Sequence, residues 1–273
     1  MRSTEFRGVA SICPMNNYLK VAISAAKKAG VIHKKYFRKE HQARSKSSTY
    51  DLLTIADTEA EAAVVALIRQ EFPDHNFLGE EDTYDKTDSE YTWIIDPLDG
   101  TNNFACGIPI FCASVALKYK NQIIAGAVFD VTHNELFYAK KGSGAFLNGK
   151  RIHVNQAKVL TQALLITGFY YSRGKEMVDT LEAIKRFHFK HILGVRRLGA
   201  AALDLCFVAC GRAAGFWEFC LSPWDFAAGV LLIEEAGGKI TGERGQRVIL
   251  EEKSFIVASN SKIHKQMLSL INA

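Results

Sequence analysis

The stretch Trp93–Gly107, WIIDPLDGTNNFACG, constrains the fold more than any other part of the chain. Trp93, Ile94 and Ile95 lead straight into Asp96 and Asp99, two carboxylates three residues apart, with Gly100 and Thr101 directly behind them. The apolar run predicts a buried strand ending at Asp96, followed by a tight Asp-Pro-Leu-Asp-Gly turn. Pro97 fixes φ there and Gly100 permits close backbone approach, so the turn can aim both carboxylates the same way. Hard divalent cations such as magnesium take carboxylate and turn-carbonyl oxygens. The following TNNF can open a helical turn whose N–H groups face an anion. One segment therefore offers a cation site beside a phosphate cradle. Taken alone, the same residues read equally well as an ordinary turn.

The rest of the chain supplies a scaffold. Leu19, Ile23, Ala26, Gly30, His33 and Phe37 are spaced three or four apart and predict a helix over 15–40. TEAEAAVVALIRQEF predicts a second helix, with Asp57 as its N-cap and Pro73 beyond its end. HNFLGEED reads as a short strand ending in acid, with an acidic loop over 82–90. TWIID, FCASVALKY, QIIAGAVFD and ELFYAK read as strands of a largely antiparallel sheet. In the second of these, Phe111, Ala113, Val115 and Leu117 share a face. Asn148-Gly149 marks a hairpin. From residue 164 onward strands and helices alternate, which predicts an α/β half with a covered sheet. The expected organisation is a flexible N-terminus over 1–14 and one unit over 15–273. That unit divides into an N-terminal α+β half (15–156) and a C-terminal α/β half (157–273).

With 273 residues, 48% of them hydrophobic, the chain can bury a large core. A formal charge of +5 suits an anionic substrate without demanding nucleic acid. The six cysteines form no C-x-x-C pair, and reduced thiols in a cytoplasm fit them. No apolar run is long enough to span a membrane. A cysteine-nucleophile phosphatase, which needs a Cys-x5-Arg loop, is discounted.

Glu80, Asp96, Asp99 and Asp225 each sit at a strand end or helix start beside apolar sequence. Each also has a simple reading: Glu80 with Glu81 in a solvated loop, Asp225 in a capping box with Ser222 at N-cap and Pro223 at N1. Together they are easier to explain with metals than without, because buried carboxylates repel one another unless a cation neutralises them.

WIIDPLDGTNNF, FLGEE and PWDFAAGVLLIEEAGG resemble the motifs of the inositol monophosphatase family, magnesium-dependent and lithium-sensitive phosphatases. RRLGAAALDLCFVACGR and GFWEF resemble its bacterial branch most closely. The resemblance implies a layered αβαβα sandwich shared with fructose-1,6-bisphosphatase, and hydrolysis of inositol 1-phosphate or a related small polyol phosphate. It implies two or three Mg2+ ions: Glu80, Asp96 and the Leu98 carbonyl on one, Asp96, Asp99 and Asp225 on a second, Glu80 through waters on a third. It makes Asp57 and Thr101 the pair that orients and deprotonates the attacking water, and Gly100, Thr101 and Asn102 the phosphate loop. Asp99, Ala201 and Glu218 fall at the alcohol part of the substrate. Lys46 and Glu81 match positions near the metals. A homodimer is implied as well.

Asn102, Ala200 and Ser222 depart from residues common in the family, which bears on substrate preference more than on metal chemistry. Fructose 1,6-bisphosphate and 3'-phosphoadenosine 5'-phosphate remain alternative substrates. An alternative of another class is an RNA- or protein-binding regulator with secondary phosphatase activity, suggested by Lys34, Lys35, Arg38, Lys39, Arg44, Lys46, Arg196 and Arg197. Cations near a helix C-terminus are ordinarily just solvated, and no aromatic interleaving suggests base stacking.

Overall fold

Alanines decide how the first layer packs. In helix α1 (Met15–Tyr36), Tyr18, Val21, Ala22, Ala25, Ala26, Ala29, Ile32 and His33 are buried, an apolar stripe at helical spacing. The stripe expected from the sequence is rotated slightly. Leu19, Ile23 and Phe37 lie at its flank and are only partly buried, because the small side chains let the helix approach the sheet closely. At Gly30 an added Cβ would stand 2.6 Å from the Phe129 ring. The computed structural model describes residues 15–39, 44–45, 52–53, 55–169 and 174–273; the expectations for 1–14 and for Lys46 fall outside them.

Strands β1 (Arg44–Ser45) and β2 (Leu52–Leu53) pair with each other. Helix α2 runs over Ile55–Glu71, which corrects the N-cap expectation for Asp57: it lies inside the first turn, where an acid is favoured by the helix dipole. Burial of Ala56, Ala60, Val64 and Ile68 sets that register.

The first sheet follows. It contains β3 (Asn76–Gly79), β4 (Tyr91–Asp99), β5 (Cys112–Tyr119), β6 (Gln122–Asp130), β7 (Glu135–Lys140), β8 (Gly144–Leu147) and β9 (Lys150–Ile152), in that spatial order. Helix α3 (Thr101–Ala105) leaves the end of β4. The β3–β4 pair is parallel and the others antiparallel. The β8–β9 turn has Asn148 at φ 48 and Gly149 at φ 84, as a two-residue type I′ hairpin requires.

The second half contributes β10 (Leu164–Thr167), α4 (Lys175–His188), β11 (Gly194–Arg196), α5 (Ala201–Ala209) and β12 (Gly215–Leu221). It continues with α6 (Pro223–Glu235), β13 (Lys239–Thr241), β14 (Ser254–Ser259) and α7 (His264–Ile271). Its sheet has the order β11-β10-β12-β14-β13. β13, a three-residue edge strand, carried too short a pattern to be expected.

Three apolar clusters define five layers. Trp93, Ile95, Phe111, Ala113, Val115 and Leu117 pack on the α1/α2 side of the first sheet. Ile94, Cys112, Ala116 and Val128 pack on its other face with residues of α5, α6 and the second sheet. Leu165, Trp217 and Val257 pack with Ala183 and Phe187 of α4 and Met267 of α7. The fold is thus the expected αβαβα sandwich, and the shared face of Phe111, Ala113, Val115 and Leu117 is present.

The strand expected to stop at Asp96 continues through Asp99. Asp96 pairs with Ser114 and Asp99 with Cys112. Three steps on β4 therefore oppose two on β5, a one-residue bulge instead of a tight turn. Opposite residues of a pair lie on the same side of the pleat, and Ser114 and Cys112 are two apart, so Asp96 and Asp99 share a face. Without the extra residue they would point to opposite faces.

His33 buttresses the bulge from α1. Its Nε2 donates to the Pro97 carbonyl at 2.8 Å, and burial lowers its pKa from 6.5 to about 4. From pH 6.5 down to about 4 the unfolded chain therefore takes up a proton that the folded chain does not. Stability should fall through that window and level off below it. His33→Gln keeps a donor for Pro97 and removes the titration. Its loss of stability from neutral pH to pH 4 should be smaller, by on the order of 3 kcal/mol. Urea unfolding at several pH values measures this; parallel declines in both proteins would contradict it.

Candidate active site

The bulge opens onto a cleft of about 380 Å³ whose lining includes Glu80, Asp96, Leu98, Asp99, Gly100, Thr101, Asn102, Ala201, Glu218 and Asp225. Residues predicted from five separate stretches are thus brought together. Asp57 lies behind the wall: it is fully buried, and its Oδ1 accepts a hydrogen bond from Thr101 Oγ1 at 3.0 Å. The Thr101 hydroxyl is also 2.9 Å from the Leu98 carbonyl. Glu81 is half-exposed.

Asp96, Asp99 and Asp225 are each anchored by backbone. Asp96 Oδ1 accepts from the Leu98 N–H at 3.0 Å, within the bulge itself. Asp99 reaches the start of α5, where Oδ1 accepts from Ala201 N–H at 3.2 Å and Oδ2 from Ala202 N–H at 2.7 Å. Asp225 Oδ2 accepts from Ser222 N–H at 2.7 Å and closes the predicted capping box at the start of α6. The capping and cleft-lining readings of Asp225 are therefore compatible.

Gly100 has φ 92, and a Cβ there would lie 2.9 Å from the Ile110 carbonyl and 3.2 Å from the Ala200 and Phe111 Cβ atoms. Only glycine makes this left-handed turn and leaves room for α3 to begin beside the carboxylates. Asn103 fixes the loop from behind, donating to the Ile110 and Leu198 carbonyls, both at 2.8 Å.

The electrostatics are those of acids held close. Burial, then Glu80, Asp99 and Asp225, push the Asp96 carboxyl well above the usual range. Burial, then Glu80 and Asp99, do the same to Asp225. Asp99 is raised to about 6, burial being partly offset by the Ala202 and Ala201 N–H groups. Among the described residues no group of three or more His, Cys, Asp or Glu side chains is arranged to hold a metal ion by itself. An open set of carboxylates and a carbonyl suits magnesium, which keeps waters and uses a few carboxylates plus substrate phosphate oxygens. The donors present are all hard oxygens and fit such an ion.

Glu218 is buried on β12, where burial raises its carboxyl to about 8 against the opposing effect of Arg197. Its carboxyl group rests on Gly168, where any Cβ would overlap it.

Sequence reasoning missed Glu61. It is buried on α2, one turn after Asp57, and its carboxylate accepts from the N–H groups of Glu80, Glu81 and Asp82 at 3.1, 3.0 and 2.9 Å. The available signal was an acid on the same face as Asp57, among Ala60, Val64 and Val65. Contrary to the expectation from the sequence, Cys206 and Arg212 do stand in the Cys-x5-Arg spacing of a cysteine-nucleophile phosphatase. Structure excludes that role: Cys206 is fully buried in α5, burial pushes its thiol well up, and Arg212 pairs with Glu135. A nucleophilic thiol needs the opposite shift.

Residues 15–273 match the inositol monophosphatase family. The chain belongs to this family. It is 41% identical over 262 residues to Nus factor SuhB of Pseudomonas aeruginosa, covering 94% of this chain and 96% of the relative. Inositol monophosphatase from Anabaena superposes with TM-score 0.83 at 37% identity, over 94% of this chain and 96% of that one. An IMPase/NADP phosphatase complexed with Mg2+ and phosphate gives TM-score 0.83 at 26% identity, over 95% and 96%.

Gly168→Ala tests how Glu218 is placed. The methyl group should displace the Glu218 carboxyl and raise KM for a phosphate monoester, with kcat little changed. Steady-state kinetics over a magnesium series measures this; an unaltered KM would contradict the placement.

Proposed function

We propose that this chain is a magnesium-dependent phosphate monoester hydrolase acting on inositol 1-phosphate or a related small polyol phosphate. The observation that carries the reading is the bulge, which sets Asp96 and Asp99 on one face of a cleft shared with Glu80, Asp225 and the Gly100 loop. Family membership and the Mg2+- and phosphate-bound structural relative support it.

Glu80, Asp96 and the Leu98 carbonyl would hold one ion, Asp96, Asp99 and Asp225 a second, with Glu80 serving a third through waters. Bound divalent ions supply positive charge that neutralises the carboxylates and phosphoryl oxygens and acidifies water. The chain's own residues do the rest. Gly100, Thr101 and Asn102 receive the phosphoryl group. With its O–H donated to Asp57, the Thr101 hydroxyl turns lone pairs to the cleft and would accept a hydrogen bond from the attacking water. Water thus loses its proton toward Thr101 and Thr101 toward Asp57, as general-base catalysis requires. Asp99, Ala201 and Glu218 face the alcohol. The Ala201 N–H is already committed to Asp99, so that residue helps shape the pocket more than it donates.

Asp96→Asn is expected to abolish turnover while circular dichroism stays native; near-normal rates at limiting magnesium would overturn the assignment. Lithium in the millimolar range should inhibit. The decisive test is phosphate release with magnesium from inositol 1-phosphate, fructose 1,6-bisphosphate and 3'-phosphoadenosine 5'-phosphate, with inositol 1-phosphate expected to be preferred.

Glu218 should serve substrate choice. A raised acid stays protonated to higher pH, so below about 8 Glu218 is a neutral donor that glutamine imitates. Glu218→Gln should therefore match the wild type near pH 6.5 on a polyol phosphate and diverge above pH 8, with little effect on an aryl phosphate at either pH. Profiles of kcat/KM check this; a uniform loss at all pH values on both substrates would place Glu218 in the metal or water machinery.

A cytoplasmic location and a homodimer accompany this reading. Among the described residues no helix is long and apolar enough to cross a membrane, and the five described cysteines are free thiols. The name Nus factor shared by several relatives favours a second reading, an RNA- or protein-binding regulator. The exposed Lys34, Arg38, Arg196 and Arg197 would serve it, and RNA binding that weakens steeply with salt would support it.

A further inference from the structure

The structure assigns Glu61 as the positioning residue that holds the Glu80 segment in its metal-binding conformation, an inference that rests on the metal-dependent reading above. Three consecutive N–H groups, of Glu80, Glu81 and Asp82, converge on its carboxylate at 2.9–3.1 Å. The Tyr84 hydroxyl adds a fourth donor at 2.8 Å. Successive backbone N–H groups curled round an anion form a nest, an arrangement that fixes the local backbone. The anion here comes from a helix anchored in the core, with Glu61 1% exposed. Gly79 makes the approach possible, since any Cβ there would overlap the Glu61 carboxylate. Glu80 leaves β3 at this point, so its direction toward Asp96 is set by atoms it does not itself carry. Asp57 and Glu61, one helical turn apart, would thus support the water-positioning Thr101 and the metal-ligating Glu80 from a single rigid element.

Supporting residues of this kind change metal affinity by roughly ten- to hundredfold. Glu61→Gln should weaken Mn2+ binding by that factor, read by electron paramagnetic resonance on the purified full chain. Saturating Mg2+ should restore most of kcat. Tyr84→Phe, which leaves the three N–H bonds in place, should weaken binding by a few-fold. A folded Glu61→Gln protein that binds Mn2+ as the wild type does would overturn the inference. If that variant does not fold, Gly79→Ala, which displaces the carboxylate without removing its charge, carries the test on the same terms together with Tyr84→Phe. Wild-type chain that binds no Mn2+ would contradict the metal-dependent reading itself; normal wild-type binding with unaffected variants contradicts only the role of Glu61.

Discussion

A single extra residue in β4 governs the site. Regular strands alternate faces, so residues three apart diverge. Between Asp96 and Asp99 the ladder slips by one, and both carboxylates then face the layer formed by α5 and α6. The slip is held from two sides. Asp96 closes it with a bond to the Leu98 N–H, and His33 pins Pro97 from α1. Everything else in the cleft is placed relative to this feature: α5 starts on Asp99, α6 presents Asp225, and α3 begins at the left-handed Gly100.

Holding several carboxylates this close is unfavourable: burial first, and then the neighbouring acids, raise their pKa values. Backbone N–H groups offset part of that penalty, at the start of α5 for Asp99 and at the start of α6 for Asp225. These bonds also stop the side chains from relaxing away from one another. Preorganised oxygens of this sort would bind a divalent ion without first reorganising, and in the proposed reaction the same rigidity would keep Thr101 and Asp57 aligned behind the attacking water.

Much of this was legible in the sequence because helices and strands with long apolar patterns leave little freedom. The two long N-terminal helices, the antiparallel strands and the Ser222–Asp225 cap all follow from local chemistry. The five-layer order and the ligand assignments came from resemblance to a family, since no periodicity says which sheet a helix covers. What local reading missed was non-local. Asp-Pro-Leu-Asp-Gly looked like a turn because Pro97 and Gly100 are turn residues, whereas the pairing partners of β5 draw the strand onward. Asp57 looked like a cap because the apolar pattern starts after it, although Ala56 is buried too. The role of Glu61 was not legible, because its partners are N–H groups some twenty residues away and carry no side-chain signature.

The central claim is that the acids of this cleft are assembled to be neutralised by a divalent ion. Thermal unfolding of the chelator-treated wild-type chain against magnesium concentration tests it most directly, because an ion bound only by the folded state raises the midpoint as its concentration passes the dissociation constant. The account predicts a midpoint that climbs through the millimolar range with magnesium and does not climb with an equal ionic strength of potassium chloride. A midpoint indifferent to magnesium, or one that follows ionic strength alone, would contradict it.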